Sequence, residues 1–326
     1  MKKLISIILA AAMTVGICLS GCTSESGNAA SQDNGDTGMN ILALSGPTGI
    51  GMAKLASDGS ESGDYNVTFV SAPDAITGQI VTGEAVAACV PTNLAATLYA
   101  KTNGKIQVAA VTTMGVLYIL DKTGTVNSIS DLAGKTMGAT GQGSNPEYML
   151  DFILEKNGLE PGKDVKIEYY GEHAELASQM IAGNVDIAML PVPFATQVQA
   201  KLDGIKSIDL QAEWSKVCDT EPVQGVVIIR TDFAQSHPEK VEKFLSDLKA
   251  STEYAVSDID GAAQLCEKFS IVAGDVAKSA IPYCNLTYID GEEMKQTVSS
   301  FVDMLFSADP KATGGSVPDE GFYYDN

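Results

Sequence analysis

Residues 83–101, GEAVAACVPTNLAATLYAK, and residues 183–201, GNVDIAMLPVPFATQVQAK, carry one design twice, 100 positions apart. Gly83/Gly183, Ala88/Ala188, Pro91/Pro191, Ala95/Ala195 and the closing Ala-Lys all coincide. The match runs without a gap from about Phe69/Tyr169 to Gly104/Gly204 and includes Gln79/Gln179. Each copy reads as a buried strand, a proline corner and a helix. Any strand–turn–helix unit shares some constraints, but an ungapped run with several matched Gly and Pro demands two copies of one α/β design.

The surrounding pattern agrees. Met39 to Leu44, Tyr65 to Val70, Ala85 to Val90 and Ile106 to Thr113 read as strands, with helices after the turns and over Asp74 to Thr82 and Thr92 to Lys101. The series restarts after Asp121. Thr136 to Ala139, Val165 to Tyr170 and Asp186 to Leu190 are strands; Glu147 to Lys156, Ala174 to Ala182 and Phe194 to Lys201 are helices. Apolar runs without alternation, each followed by a helix, indicate parallel sheets covered on both faces. Val223 to Arg230 is a further strand. Beyond it the chain turns helical, with His237-Pro238-Glu239 as a helix start. The tail aromatics Phe322, Tyr323 and Tyr324 are expected to pack on the fold rather than bind a ligand.

The N-terminus is a targeting segment. Lys2 and Lys3 precede an apolar run, Leu4 to Val15, too short for a comfortable membrane span. Leu19-Ser20-Gly21-Cys22 then resembles a bacterial lipobox, which implies lipidation of Cys22 and cleavage before it. Thr23 to Gly38 has no Leu, Ile, Val or aromatic residue and reads as a tether. The 41 acidic against 21 basic residues, a formal net charge of −20, argue against nucleic acid and against a basic lipid-binding patch. Contact with the membrane is then expected only through the lipid anchor. Of the cysteines, Cys89 reads as a small core residue; Cys266 and Cys284 could pair after export, and spacing leaves that open.

Ligands of open parallel sheets bind beyond the carboxyl ends of the strands. The corners there precede helices, whose first N–H groups are unpaired. They supply the candidate ligand-binding residues: Ser45, Pro47, Thr48 and Pro73; Pro91, Thr92 and Asn93; Ser144, Asn145 and His173; and Val192 and Pro193. Met114 and Gln224, beside the connections between the copies, complete the set. His173 could touch a ligand or simply open a helix in solvent, and both readings stand. Gly141-Gln142-Gly143 lacks the rest of a Walker A loop and the third glycine of a dinucleotide fingerprint. Two histidines in different predicted lobes make a metal site or a catalytic triad improbable. No catalytic residue, metal or cofactor is assigned. Arg230, the only arginine, either reaches the cleft or pairs locally; without a clear clamp, neutral heterocycles or anions held by N–H groups and hydroxyls gain over amino-acid-type carboxylates.

Ile129-Ser130-Asp131-Leu132-Ala133-Gly134-Lys135-Thr136, then Gly141 to Pro146, Gly183 to Ala188, Pro191 to Ala195 and His237-Pro238-Glu239, resemble in order the periplasmic-type solute-binding proteins. The ensemble is similar to their nitrate/sulfonate/taurine and thiamine-pyrimidine-precursor branch. It covers Met39 to Phe306, and order and spacing carry it rather than any single motif. The resemblance implies an α/β fold of the type 2 periplasmic binding protein: two Rossmann-like lobes with mostly parallel sheets, joined by crossover strands near Val116–Asp121 and Val223–Arg230. Residues 1–21 would be signal peptide, 22–38 lipidated cysteine and tether, 39–121 plus 223–326 lobe 1, and 122–222 lobe 2. It further implies a monomer at the extracytoplasmic face of the membrane that binds a small-molecule solute and delivers it to an ABC permease with its ATPase. The cysteine-rich motif of fungal pyrimidine-synthesising relatives is absent, which argues against enzyme activity of that kind.

Overall fold

The computed structural model describes residues 38–71 and 73–325. The signal segment, Cys22 and all but the last residue of the tether lie outside the described residues. The strands, in chain order, are β1 (Met39–Leu44), β2 (Tyr65–Val70), β3 (Ala87–Pro91), β4 (Ile106–Thr113), β5 (Leu117–Asp121), β6 (Thr136–Thr140), β7 (Lys166–Tyr170), β8 (Ile187–Pro191), β9 (Lys206–Asp209), β10 (Gly225–Arg230) and β11 (Leu286–Ile289).

They form two sheets, ordered β11-β4-β10-β3-β1-β2 and β7-β6-β8-β5-β9. The repeat in the sequence is a repeat of topology. In the first sheet β2, β1 and β3 are parallel neighbours, and β10 lies antiparallel between β3 and β4. In the second, β7, β6 and β8 are parallel neighbours, and β5 lies antiparallel between β8 and β9. Each sheet thus takes its antiparallel strand from chain that has just left the other. The chain passes from the first sheet to the second between Thr113 and Leu117, ahead of the Asp121 boundary expected above. The crossing strand takes its hydrogen bonds from the sheet it enters: Leu117 to Asp121 pair with Pro191 to Ile187.

Local chemistry explains why the copies match where they do. Gly83 and Gly183 both follow a helix with left-handed φ, 82° and 85°. That geometry ends the helix and turns the chain back toward the sheet, and it favours glycine. The strands that follow are buried, Ala87–Val90 and Ile187–Pro191 alike, because helices cover both faces. Helix Pro238–Ser257 lays Val241, Phe244 and Leu248 over Ile41, Ala43 and Val227 of the first sheet. Helices Thr92–Thr102 and Gly291–Ala308 cover its other face, burying Leu98, Phe301 and Leu305 with Ala88, Val108 and Val226. The tail packs as expected. Phe322 meets Tyr99 edge to face at 5.1 Å, and the Tyr324 N–H donates to Val108 O at 2.8 Å, on a stretch of β4 that β11 does not pair.

Candidate functional site

Both proline corners lie at crossovers. Pro91 is in register with Gly225, the first residue of β10, and Pro191 with Leu117, the first residue of β5. The carboxyl ends of β3 and β8 therefore sit where the chain passes between the sheets. After Pro91 a helix begins at once, at Thr92; after Pro191 it begins only at Phe194, because Val192 and Pro193 intervene.

The crossovers are pinned by polar side chains. Thr92 Oγ1 donates to Val223 O at 2.7 Å, and the Gln224 N–H to Thr113 O at 3.0 Å. Asn145, only 1% exposed at the start of helix Asn145–Lys156, ties the two halves together. Its Oδ1 accepts from the Asn93 N–H at 3.3 Å, and its Nδ2 donates to Val223 O and Gln224 O at 3.5 and 3.4 Å. Gln224 Nε2 reaches Met149 Sδ on the same helix. At the other crossover, the Met114 N–H donates to Asn285 O at 3.1 Å and the Val192 N–H to Val116 O at 2.9 Å. A side chain at Gly225 would run into Thr48 Cγ2 at 2.7 Å, so β10 starts with glycine for lack of space.

On the second sheet three strand ends converge. Thr140 closes β6, His173 opens the helix after β7, and Phe194 opens the helix after β8. Thr140 Oγ1 and His173 Nδ1 are 2.6 Å apart, and the His173 and Phe194 rings are 5.4 Å apart. Burial holds the His173 imidazole below its ordinary pKa, with Glu172 opposing. A hydroxyl beside an imidazole resembles a nucleophile and its base, but Thr140 is 1% exposed, and none of the described residues hydrogen-bonds Nε2 to orient it. The contact fixes the ring at the end of the sheet.

The other expected site residues fall as follows. Asn93 is buried and its Oδ1 has no hydrogen-bond partner. Thr48 Oγ1 donates to Leu44 O at 3.0 Å, and the exposed Ser45 gives its N–H to Val70 O. Pro47 and Pro73 start helices, Pro73 exposed. Ser144 Oγ donates to Gly141 O at 2.6 Å, so its proton is committed to the turn. Met114 is partly buried against the main core. Val192 is fully buried with Ile50, Ala277, Ile281 and Cys284, joining the second sheet's corner to helices of the first. Pro193 is buried beside it, its carbonyl accepting from Thr196 Oγ1. Arg230 stands at the far end of β10 from Gly225 and gives its guanidinium to Ile80 O and Asp232. Thr113, Thr140, Phe194 and Asn285 join the site without having been singled out. The first three close a strand or open a helix, which is a readable signal. Asn285 sits in a loop with left-handed φ of 43° and offers none.

Among the described residues no group of His, Cys, Asp or Glu is placed to hold a metal, and no helix is long and apolar enough to cross a membrane. Cys266 and Cys284 carry free thiols within one apolar cluster. A groove of 440 Å³ lies elsewhere, beside Tyr65, and its charges are internally paired, Lys243 with Asp64 and Asp247 and Lys54 with Asp58.

The sequence profile described as NMT1/THI5 like matches residues 66–262, most of both repeat copies and the crossovers between them. The chain belongs to the NMT1/THI5-like family. No curated protein matches the sequence. Among solved structures, an ABC transporter from Parabacteroides distasonis is 25% identical, with a TM-score of 0.75 over 89% of this chain and 99% of its own. The periplasmic aliphatic sulphonate binding protein SsuA from Escherichia coli is 14% identical, with a TM-score of 0.70 over 88% and 92%. The desulfurization enzyme DSZB is 11% identical, with a TM-score of 0.62 over 88% and 96%. The last two establish the fold alone, that of the type 2 periplasmic binding proteins, and show that an enzyme shares it.

Proposed function

We propose that this protein is an extracytoplasmic solute-binding lipoprotein. It captures a small organic solute or oxyanion between two lobes, one built on each sheet, and delivers it to an ABC permease with its ATPase. Cys22 holds it at the membrane, and the folded part works as a monomer. The observation that carries the reading is the pairing of Pro91 with Gly225 and of Pro191 with Leu117. Two equivalent corners at two crossovers suit a clamp, in which a solute touching both walls favours the arrangement that brings them together. The family and the ABC transporter likeness support the same role. A receptor is favoured over an enzyme because the corners supply amides, hydroxyls and aromatic rings, with no oriented nucleophile and base among the described residues.

Native mass spectrometry of the purified chain tests this reading. A released small molecule that restores a more compact scattering profile when added back supports capture. Chemical turnover of that molecule by the pure protein would overturn it. Replacing Cys22 by Ala should move the protein from the membrane fraction to the soluble one.

A further inference from the structure

Within the candidate site, Asn93 demands a particular chemistry. It is the second residue of the eleven-residue helix Thr92–Thr102 and is 9% exposed. Its N–H goes to Asn145, yet its side-chain Oδ1 is buried with no hydrogen-bond partner. Thr113 Oγ1, at the carboxyl end of β4, is also buried and unpartnered; Thr113 is in register with Gly225, which itself pairs with Pro91. A carbonyl oxygen can only accept, so it is satisfied by an N–H or O–H donor. A sulfonate or nitrate brings only acceptors and leaves it unpaired.

The charges around the site point the same way. The strand-end and crossover segments 45–49, 71–74, 91–93, 113–116, 140–145, 171–173, 191–193 and 223–225 contain no Lys or Arg; their charged residues are Asp74 and Glu172. The one guanidinium is spent on Asp232 and Ile80 at the opposite end of β10. Burial disfavours the charged form of His173. An anion entering here finds no Lys or Arg in these segments, on a chain of net charge −20.

We propose that the solute is uncharged and bears N–H or O–H donors, one of which Asn93 Oδ1 accepts, so that Asn93 selects against sulfonates and other oxyanions. This deepens the solute-binding reading and rests on it. The His173 and Phe194 rings, 5.4 Å apart and tilted by 42°, offer aromatic surface that suits a planar solute.

The test uses the full chain, Asn93→Leu and Asn93→Asp, each first shown to melt cooperatively. Matched probes share a skeleton and differ in charge and donors: benzenesulfonamide with benzenesulfonate, and benzamide with benzoate. The same three proteins are also exposed to a small-molecule cell extract, and retained solutes are identified by mass spectrometry. Uncharged donors should be preferred over their anions by about tenfold or more, with Asn93→Leu losing about tenfold. Asn93→Asp keeps an acceptor and should retain the uncharged solute; if the amide instead presents Nδ2 to an oxyanion, that variant loses binding as Leu does. Retention of a sulfonate or other oxyanion, or equal retention of an uncharged solute by Asn93→Leu, overturns the proposal and leaves solute capture standing. A folded protein that retains neither probes nor extract solutes overturns both.

Discussion

Asn145 offers a quantitative check on how the two halves are joined. Replacing it with Ala removes three hydrogen bonds, at 3.3, 3.4 and 3.5 Å. Only one group is then orphaned. Val223 O still accepts from Thr92 Oγ1 at 2.7 Å, and Gln224 O still accepts from the Thr92 N–H at 3.3 Å. The Asn93 N–H has no such second partner. A buried orphan donor costs about 1–3 kcal/mol, and bonds this long belong at the low end, so Asn145→Ala should cost about 1–2 kcal/mol. Asn145→Asp should cost more, although it is closer in shape. It keeps the acceptor for Asn93, but it turns a carboxylate oxygen toward two carbonyls at a site that is 1% exposed. An uncompensated buried charge costs about 3 kcal/mol or more. That carboxyl would have a raised pKa in the folded state, so the penalty should shrink as the pH falls and the group protonates. Urea unfolding followed by Trp214 fluorescence at pH 7.5 and pH 4.5 measures both variants. If the Asp variant matches the parent at pH 7.5, or is less costly than Ala there, the reasoning is wrong.

Three further outcomes follow from the packing. Burial, then Glu147 and Glu155, push the Asp151 carboxyl up to about 6, and its Oδ1 is buried without a partner. Its folded pKa lies above its unfolded value, so stability is lost as the pH rises through about 6; raising a carboxyl that far costs about 3 kcal/mol if wholly buried, and partial exposure brings it to about 1–2. Asp151→Asn should therefore stabilise by about 1–2 kcal/mol at pH 8 and by almost nothing near pH 4, as read by denaturant midpoints. Trp214 is fully buried between Phe152 at 4.8 Å and Phe301 at 5.8 Å, and its Nε1 donates to Thr220 O. Trp214→Ala should cost about 3–5 kcal/mol and Trp214→Phe clearly less; equal costs would mean that the indole does not join these helices. Burial pushes the thiols of Cys89, Cys266 and Cys284 up to about 12. Iodoacetamide at pH 8 should spare these three until the protein is unfolded, as read by peptide mass spectrometry; a Cys266–Cys284 disulfide would contradict the free thiols of the structure.

The sequence by itself determined the doubled α/β design. Burial on both faces leaves apolar runs, helix ends leave Gly83 and Gly183, and both signals lie within a few residues of the geometry they cause. The strand β9, Lys206–Asp209, went unread, because four residues with two ends charged carry too little periodicity. Strand ends and helix starts were legible as a candidate site for the same local reason. Tertiary structure decided what those residues do. Val192, a candidate ligand-binding residue by its place in the sequence, is sealed against Ile50 and Ile281, more than 80 positions away. Ser144 spends its proton on its own turn, while Asn93 keeps a buried acceptor without a partner. Arg230, whose reach was open in sequence, is fixed away from the site because β10 runs antiparallel and carries it to the opposite end of the strands. Direction and register across a crossover depend on which strand the chain joins after it leaves its own sheet. That choice is made by long-range pairing, and no local pattern encodes it.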